Sequence, residues 1–153
     1  MNKSEQAIKF FNDGYNCAQA VLAAYCEEFG LSAELALKIA SGFGAGMGRQ
    51  CETCGAVTGA DMVLGLKCGY VSPGDTEGKE QMYPLIKEFA RRFKARNHST
   101  LCEELLGTHL LTGDRELAAR QVKTVCPKMV KDAAEILKDM LMVAASGTAV
   151  AVK

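Results

Sequence analysis

Signals that start and stop helices recur from one end of this chain to the other, while the apolar–polar alternation of a half-buried strand is almost missing. That pattern constrains the fold more than any other feature. Ser4 is placed to open a first helix carrying Ile8 and Phe11, which Gly14 closes. Asn16 can cap CAQAVLAAYCEEF, with Gly30 as its stop. Ser32 caps AELALKIAS, which runs into a glycine-rich stretch, and a fourth helix starts near Cys54 and reaches Lys67. CGYVSPGDTEG reads as a loop. KEQMYPLIKEFARRFKARN is a longer helix in which Pro84 makes a kink or marks the start. Thr100 and Glu103 have capping-box spacing ahead of LCEELLG. DRELAARQVKTV is helical, and Pro127 stands at the natural first position of a separate last helix, CPKMVKDAAEILKDMLMVAA. The expected fold is all-α: a compact bundle of roughly six to eight helices, one domain over residues 1–153, with the tail 146–153 frayed.

With 153 residues, 48% of them hydrophobic, the chain can bury one core. Lys+Arg and Asp+Glu are equal at 18 each. A nucleic-acid binder draws its affinity from neutralising phosphates, so this balance argues against that class. The opening MNKSEQAIKFFNDG has no long apolar run of the kind that directs export. Near the other end, MLMVAASGTAVAV is broken by Ser146 and Gly147 and is too short to span a bilayer. The expectation is a cytoplasmic protein with no membrane span.

Seven cysteines are then the feature to explain. An odd number cannot all pair within one chain, and a reducing compartment disfavours a disulfide scaffold. They are packed thiols, metal ligands or redox groups. On the helix map Cys17, Cys54, Cys102 and Cys126 all fall at expected helix N-termini, where free N–H groups and the helix dipole favour an anion. Their thiol pKa values are expected to fall accordingly. Cys26 and Cys68 sit elsewhere and read as packed thiols.

Between them runs GFGAGMGRQCETCGAVTG, Gly42 to Gly59. Its alternating glycines lack the spacing of a dinucleotide loop, no strand precedes them, and no Gly-Lys-Ser/Thr follows. The stretch reads instead as a tight corner that delivers Cys54 to other cysteines. Cys51 and Cys54 form a C-x-x-C, which suits a redox dithiol or half a zinc site. The βαβ setting of the first and the second C-x-x-C of the other are missing. Gly55 with Gly59 and Ala56 with Ala60 would let a neighbouring helix approach closely. Asp61, two turns past Cys54, reads as solvated or cap-bonded. The two histidines, His98 and His109, read as structural, and Arg91, Arg92, Lys94 and Arg96 as a solvated basic face; docking of an acidic redox partner there is the sharper alternative.

The segments YNCAQAV, CGAVTGADMVLGLK, LCEELLG and VCPKMVKDAAEIL, in that order, resemble the C_GCAxxG_C_C family of redox-active proteins, with Cys17, Cys54, Cys102 and Cys126 at the matching positions. At the central position this chain reads Cys-Gly-Ala where the family name reads Gly-Cys-Ala, and Cys51 has no place in the pattern. The arrangement is also similar to the amino-terminal domain of split-Soret cytochromes, which implies an iron–sulfur site. No C-x-x-C-H is present for covalent haem.

Two functional expectations follow. The first is a redox protein in which Cys17, Cys54, Cys102 and Cys126 converge, as catalytic thiols in thiol/disulfide exchange or as ligands of an iron–sulfur cluster that transfers electrons. Its partner would be a redox protein or a small thiol. The alternative is a non-redox helical module held by a structural zinc on the same four cysteines. The small-residue surfaces permit a homodimer.

Overall fold

The structure, a computed structural model, describes residues 1–145, so the expectation of a frayed tail at 146–153 lies outside the described residues. It is all-α, as the cap signals required. Helix α1 (Lys3–Asn12) is followed by α2 (Cys17–Tyr25), which tightens into a 3₁₀ turn (Cys26–Phe29) ending on left-handed Gly30. Then come α3 (Ala33–Ala40), the short element α4 (Gly44–Met47), α5 (Gly55–Cys68), α6 (Thr76–Asn97), α7 (Cys102–Leu106) and α8 (Arg115–Ala145). Among the described residues none of these helices is long and apolar enough to cross a membrane.

The caps explain most of the boundaries. Asn16 accepts from the Gln19 N–H, and the Gln19 side chain answers the Asn16 N–H, a reciprocal box at the start of α2. Ser32 caps α3 and Asp75 caps α6. Three expectations need correction. Asn2, boxed with Glu5, opens α1 rather than Ser4. Thr100 does not cap α7: the N-cap is Leu101, whose N–H is taken by the Ser99 hydroxyl, and the Thr100 carbonyl is spent on the Cys54 N–H. Pro127 does not begin a helix but lies inside α8, as Pro84 lies inside α6.

Pro127 removes one helical hydrogen bond. Burial of Val130, Ala133, Ala134 and Leu137 on the following turns offsets that loss and keeps α8 continuous.

Helix α2 is the centre of the core, with Ala18, Ala20, Val21 and Leu22 at or near zero exposure. It lies against α1, α5 and α8. The Tyr25 hydroxyl donates to the Ala134 carbonyl at 2.7 Å, tying α2 to α8. The α2–α5 crossing is close because α5 presents glycine to it. A Cβ on Gly59 would stand 2.7 Å from the Ala18 carbonyl oxygen, and one on Gly55 3.0 Å from the Ala18 nitrogen. The small-residue reading of CGAVTGA therefore holds, and the surface it makes is spent inside the fold.

The glycine stretch forms the second unusual feature. Ala45, Gly46, Met47, Gly48 and Arg49 all have positive φ, from 56° to 69°, and the Gly48 N–H closes onto the Gly44 carbonyl at 2.9 Å. The short element α4 is thus wound left-handed. L-residues lose roughly 1–2 kcal/mol each in that conformation, so glycine at two of these five positions leaves three residues to carry the strain.

Candidate thiol site

Four elements deliver cysteines to one place. Asn16 ends the loop after α1, and its cap fixes Cys17 as the first residue of α2. Past the left-handed corner, Cys54 is the N-cap of α5, with its sulfur turned to the N–H groups of Ala56 and Val57. Cys102 is the first residue of α7. Cys126 projects from the middle of α8. The four line a single cavity of about 320 Å³, together with apolar side chains that include Phe11, Leu106, Val122 and Met129. No charged side chain among the described residues lines it. Gly14 and Tyr15, also in its wall, are exposed and mark the side facing solvent.

The expected electrostatics are reversed for most of these thiols. Three stand at helix starts, yet none of the three is acidified. Cys54 is pushed up to about 12, chiefly by burial, against which the Ala56 and Val57 N–H groups act only in part. Burial, followed by the neighbouring thiols Cys51 and Cys54, raises Cys102. Cys17 is raised well above the usual thiol range by its hydrogen bond to Cys126 and then by burial. Only Cys126 is lowered, and the Cys17 hydrogen bond is the cause, with burial opposing it. Cys126 is also the one thiol of the four that is not at a helix terminus. The dipole argument therefore fails, because desolvation inside an apolar cavity outweighs the field of a helix end.

Cys51 stands differently from what its C-x-x-C spacing suggests. It does not pair with Cys54 as a C-x-x-C dithiol. Its sulfur instead meets Cys102 and accepts a hydrogen bond from the Leu110 N–H at 3.3 Å. The antiparallel bridge between Thr53 and Leu101 brings it there, and sequence patterning does not display that bridge.

The remaining candidates lie elsewhere. Cys26 is fully buried with its thiol on the Ala23 carbonyl, and Cys68 is half-buried at the end of α5, both as expected of packed thiols. His98 is the left-handed C-cap of α6, and His109 Nδ1 accepts the N–H groups of Leu111 and Thr112. Neither lines the cavity. Asp61 is not solvated: its Oδ1 is buried with no partner among the described residues, and burial raises its pKa to about 7. Of the basic run, Arg91 and Arg92 are engaged by Glu88, and Arg96 by Glu135 and Asp132.

The donor set can be tested against the metals it suggested. A single tetrahedral zinc with Zn–S bonds of about 2.3 Å holds its sulfurs about 3.8 Å apart. Among the described residues no three cysteine, histidine or carboxylate side chains stand close enough to enclose one ion. The thiols are set around a cavity rather than around a point. That arrangement does not enclose one zinc ion.

Comparison with curated proteins and with solved structures gives no match. One family model does match, over residues 15–140, and its description is "Putative redox-active protein (C_GCAxxG_C_C)". That span runs from just before Cys17 to beyond Cys126 and contains every residue of the thiol cavity except Phe11 and Gly14, so the chain belongs to the C_GCAxxG_C_C family of redox-active proteins.

Proposed function

We propose that the protein exchanges electrons through a dithiol formed by Cys17 and Cys126. The observation that carries this reading is that both thiols line one largely apolar cavity, Cys17 at the start of α2 and Cys126 on α8. The two thiols are coupled, with Cys126 lowered by the Cys17 thiol and Cys17 raised by the Cys126 thiol and by burial. Cys126 is also half-buried, whereas Cys17, Cys54 and Cys102 are buried.

The reaction follows from that asymmetry. The Cys126 thiolate attacks one sulfur of an incoming disulfide, forming a mixed disulfide and expelling the other sulfur as a thiolate. Cys17 then loses its proton to that leaving thiolate and attacks Cys126 Sγ, expelling the second thiolate. The products are a Cys17–Cys126 disulfide, one substrate thiol and one substrate thiolate that takes its proton from water, so two electrons pass from protein to substrate. The uncharged cavity wall favours a small disulfide, or a partner's exposed disulfide, without charge next to the reacting sulfur.

A second reading is an iron–sulfur protein with Cys17, Cys54, Cys102 and Cys126 as ligands. It is favoured by the convergence of four thiols on one cavity. A bound cluster would supply one-electron transfer. The chain would hold it with the Cys54 sulfur beside the first N–H groups of α5, and the largely apolar wall would exclude water.

Anaerobic purification separates the readings when absorption, iron, sulfide and zinc are measured on one sample and a brief alkylation pulse is mapped. The dithiol reading expects a colourless, metal-free protein in which Cys126 is alkylated first. Stoichiometric iron and sulfide, with visible absorption that bleaches on reduction, would replace it with the cluster. Stoichiometric zinc with no redox response would replace both with a structural site.

A further inference from the structure

We propose that Cys51 and Cys102 form a second dithiol that takes the oxidation over from Cys17 and Cys126. The proposal rests on the dithiol reading above and extends it to a residue outside the family's cysteine pattern.

The two cysteines are held together by backbone. Thr53 and Leu101 form an antiparallel bridge, with the Cys54 N–H on the Thr100 carbonyl at 2.8 Å and the Cys102 N–H on the Glu52 carbonyl at 2.7 Å. Next to it, the Glu103 N–H donates to the Cys51 carbonyl at 3.2 Å. Cys51 Cα and Cys102 Cβ both lie within 2.7 Å of the point that a Cβ on Gly46 would occupy. The left-handed corner thus closes over the pair, and Cys51 itself is left-handed, with φ 57°. Cys51 and Cys102 pack with Leu106 in a small cluster of their own, against Val122, Val125 and Cys126.

Placement gives the order of events. Cys102 lines the cavity with Cys17 and Cys126, whereas Cys51 stands behind it and does not line the cavity. Cys102 therefore stands between the two pairs, sharing the cavity with one and the buried cluster with the other. Starting from a Cys17–Cys126 disulfide, the Cys102 thiolate attacks Cys126 Sγ and expels the Cys17 thiolate. Cys51 then attacks Cys102 Sγ and expels the Cys126 thiolate. The first pair is reduced, the second is oxidised, two protons pass from the second pair to the first, and no outside reactant is consumed. Oxidation of the first pair also removes the Cys126 charge, one of the causes that hold Cys102 protonated.

The test uses the full chain, reduced, then given one equivalent of a small disulfide, quenched with acid and alkylator at increasing times, and mapped by mass spectrometry. The Cys17–Cys126 disulfide is expected first, falling as Cys51–Cys102 rises, while Cys51→Ser and Cys51→Ala stop at Cys17–Cys126. With excess oxidant, wild type keeps three of its seven thiols, whereas the Cys51 variants keep four of their six, Cys102 among them. A Cys17–Cys126 disulfide that persists in wild type while Cys51 stays open to alkylation overturns the relay and leaves the first dithiol intact. Formation of Cys51–Cys102 at the same rate in Cys126→Ser also overturns it, since oxidation would then bypass the first pair. Absence of any Cys17–Cys126 disulfide overturns both readings. The wild-type time course decides without any variant having to fold.

Discussion

The α2–α5 crossing and the left-handed corner both use glycine to bring cysteines to the cavity, but they use different properties of it. At the crossing, Gly55 and Gly59 keep ordinary right-handed helix geometry and matter because they lack a Cβ. At the corner, Gly46 lacks room for a Cβ and also needs positive φ, and its neighbours Ala45, Met47 and Arg49 share that conformation without being glycine. The three together cost roughly 3–6 kcal/mol. The crossing is therefore an efficient packing device, while the corner is a strained one held in place by what surrounds it. Gly44 packs on the Asn16 side chain, the Glu52 N–H bonds the Gly46 carbonyl at 2.9 Å, and Cys51 and Cys102 lie directly behind. Strain of this kind persists where the surroundings over-determine it, and in this chain that place is the thiol site.

The sharpest way to break the comparison is Gly46→Val. It adds volume against backbone and a branched residue at positive φ, and a loss of about 3 kcal/mol or more is expected in urea denaturation. A loss smaller than that of Gly59→Ala would show that the corner is free to rearrange.

Asp61 tests the crossing helix through pH. Its folded pKa of about 7 lies above its unfolded value, so between about pH 4 and 7 the folded state keeps a proton that the unfolded chain releases. Stability should fall as pH rises through that window and level off above it. Asp61→Asn should remove the slope and stabilise the protein at pH 8 by about 3 kcal/mol; an unchanged slope would place the titrating group elsewhere.

Gly59→Ala is expected to cost about 1–3 kcal/mol by overpacking against the Ala18 carbonyl, with the alkylation rates of Cys51 and Cys102 unchanged. A changed rate at either would mean that the two regions are coupled. Ala45→Gly is expected to have the smallest effect and the opposite sign. Relief of the left-handed penalty is partly cancelled by the entropy glycine loses on folding, leaving a gain of up to about 1 kcal/mol in the urea midpoint. A loss would mean that Ala45 is not strained.

Most of the helices were legible because caps and apolar spacing are local. Asn16, Ser32 and Gly30 act within a few residues of themselves, and the structure uses them as the sequence suggests. Pro127 and Thr100 misled for the complementary reason. Whether a proline ends a helix depends on how much apolar surface lies beyond it. Whether a threonine caps depends on what else its backbone is asked to hold, here the Cys54 N–H.

The sequence by itself determined an all-α chain of balanced charge, with a glycine stretch before Cys54 and a match to the family over residues 15–140. Only the tertiary structure decided which sulfurs meet. Cys17 and Cys126 come to one cavity, and Cys51 packs with Cys102, across gaps of more than forty residues, through crossings and a bridge that no local spacing encodes. It also decided the sign of the pKa shifts. A helix start promises an acidic thiol, but burial depends on the whole packed wall around the sulfur, and in this cavity burial outweighs the dipole.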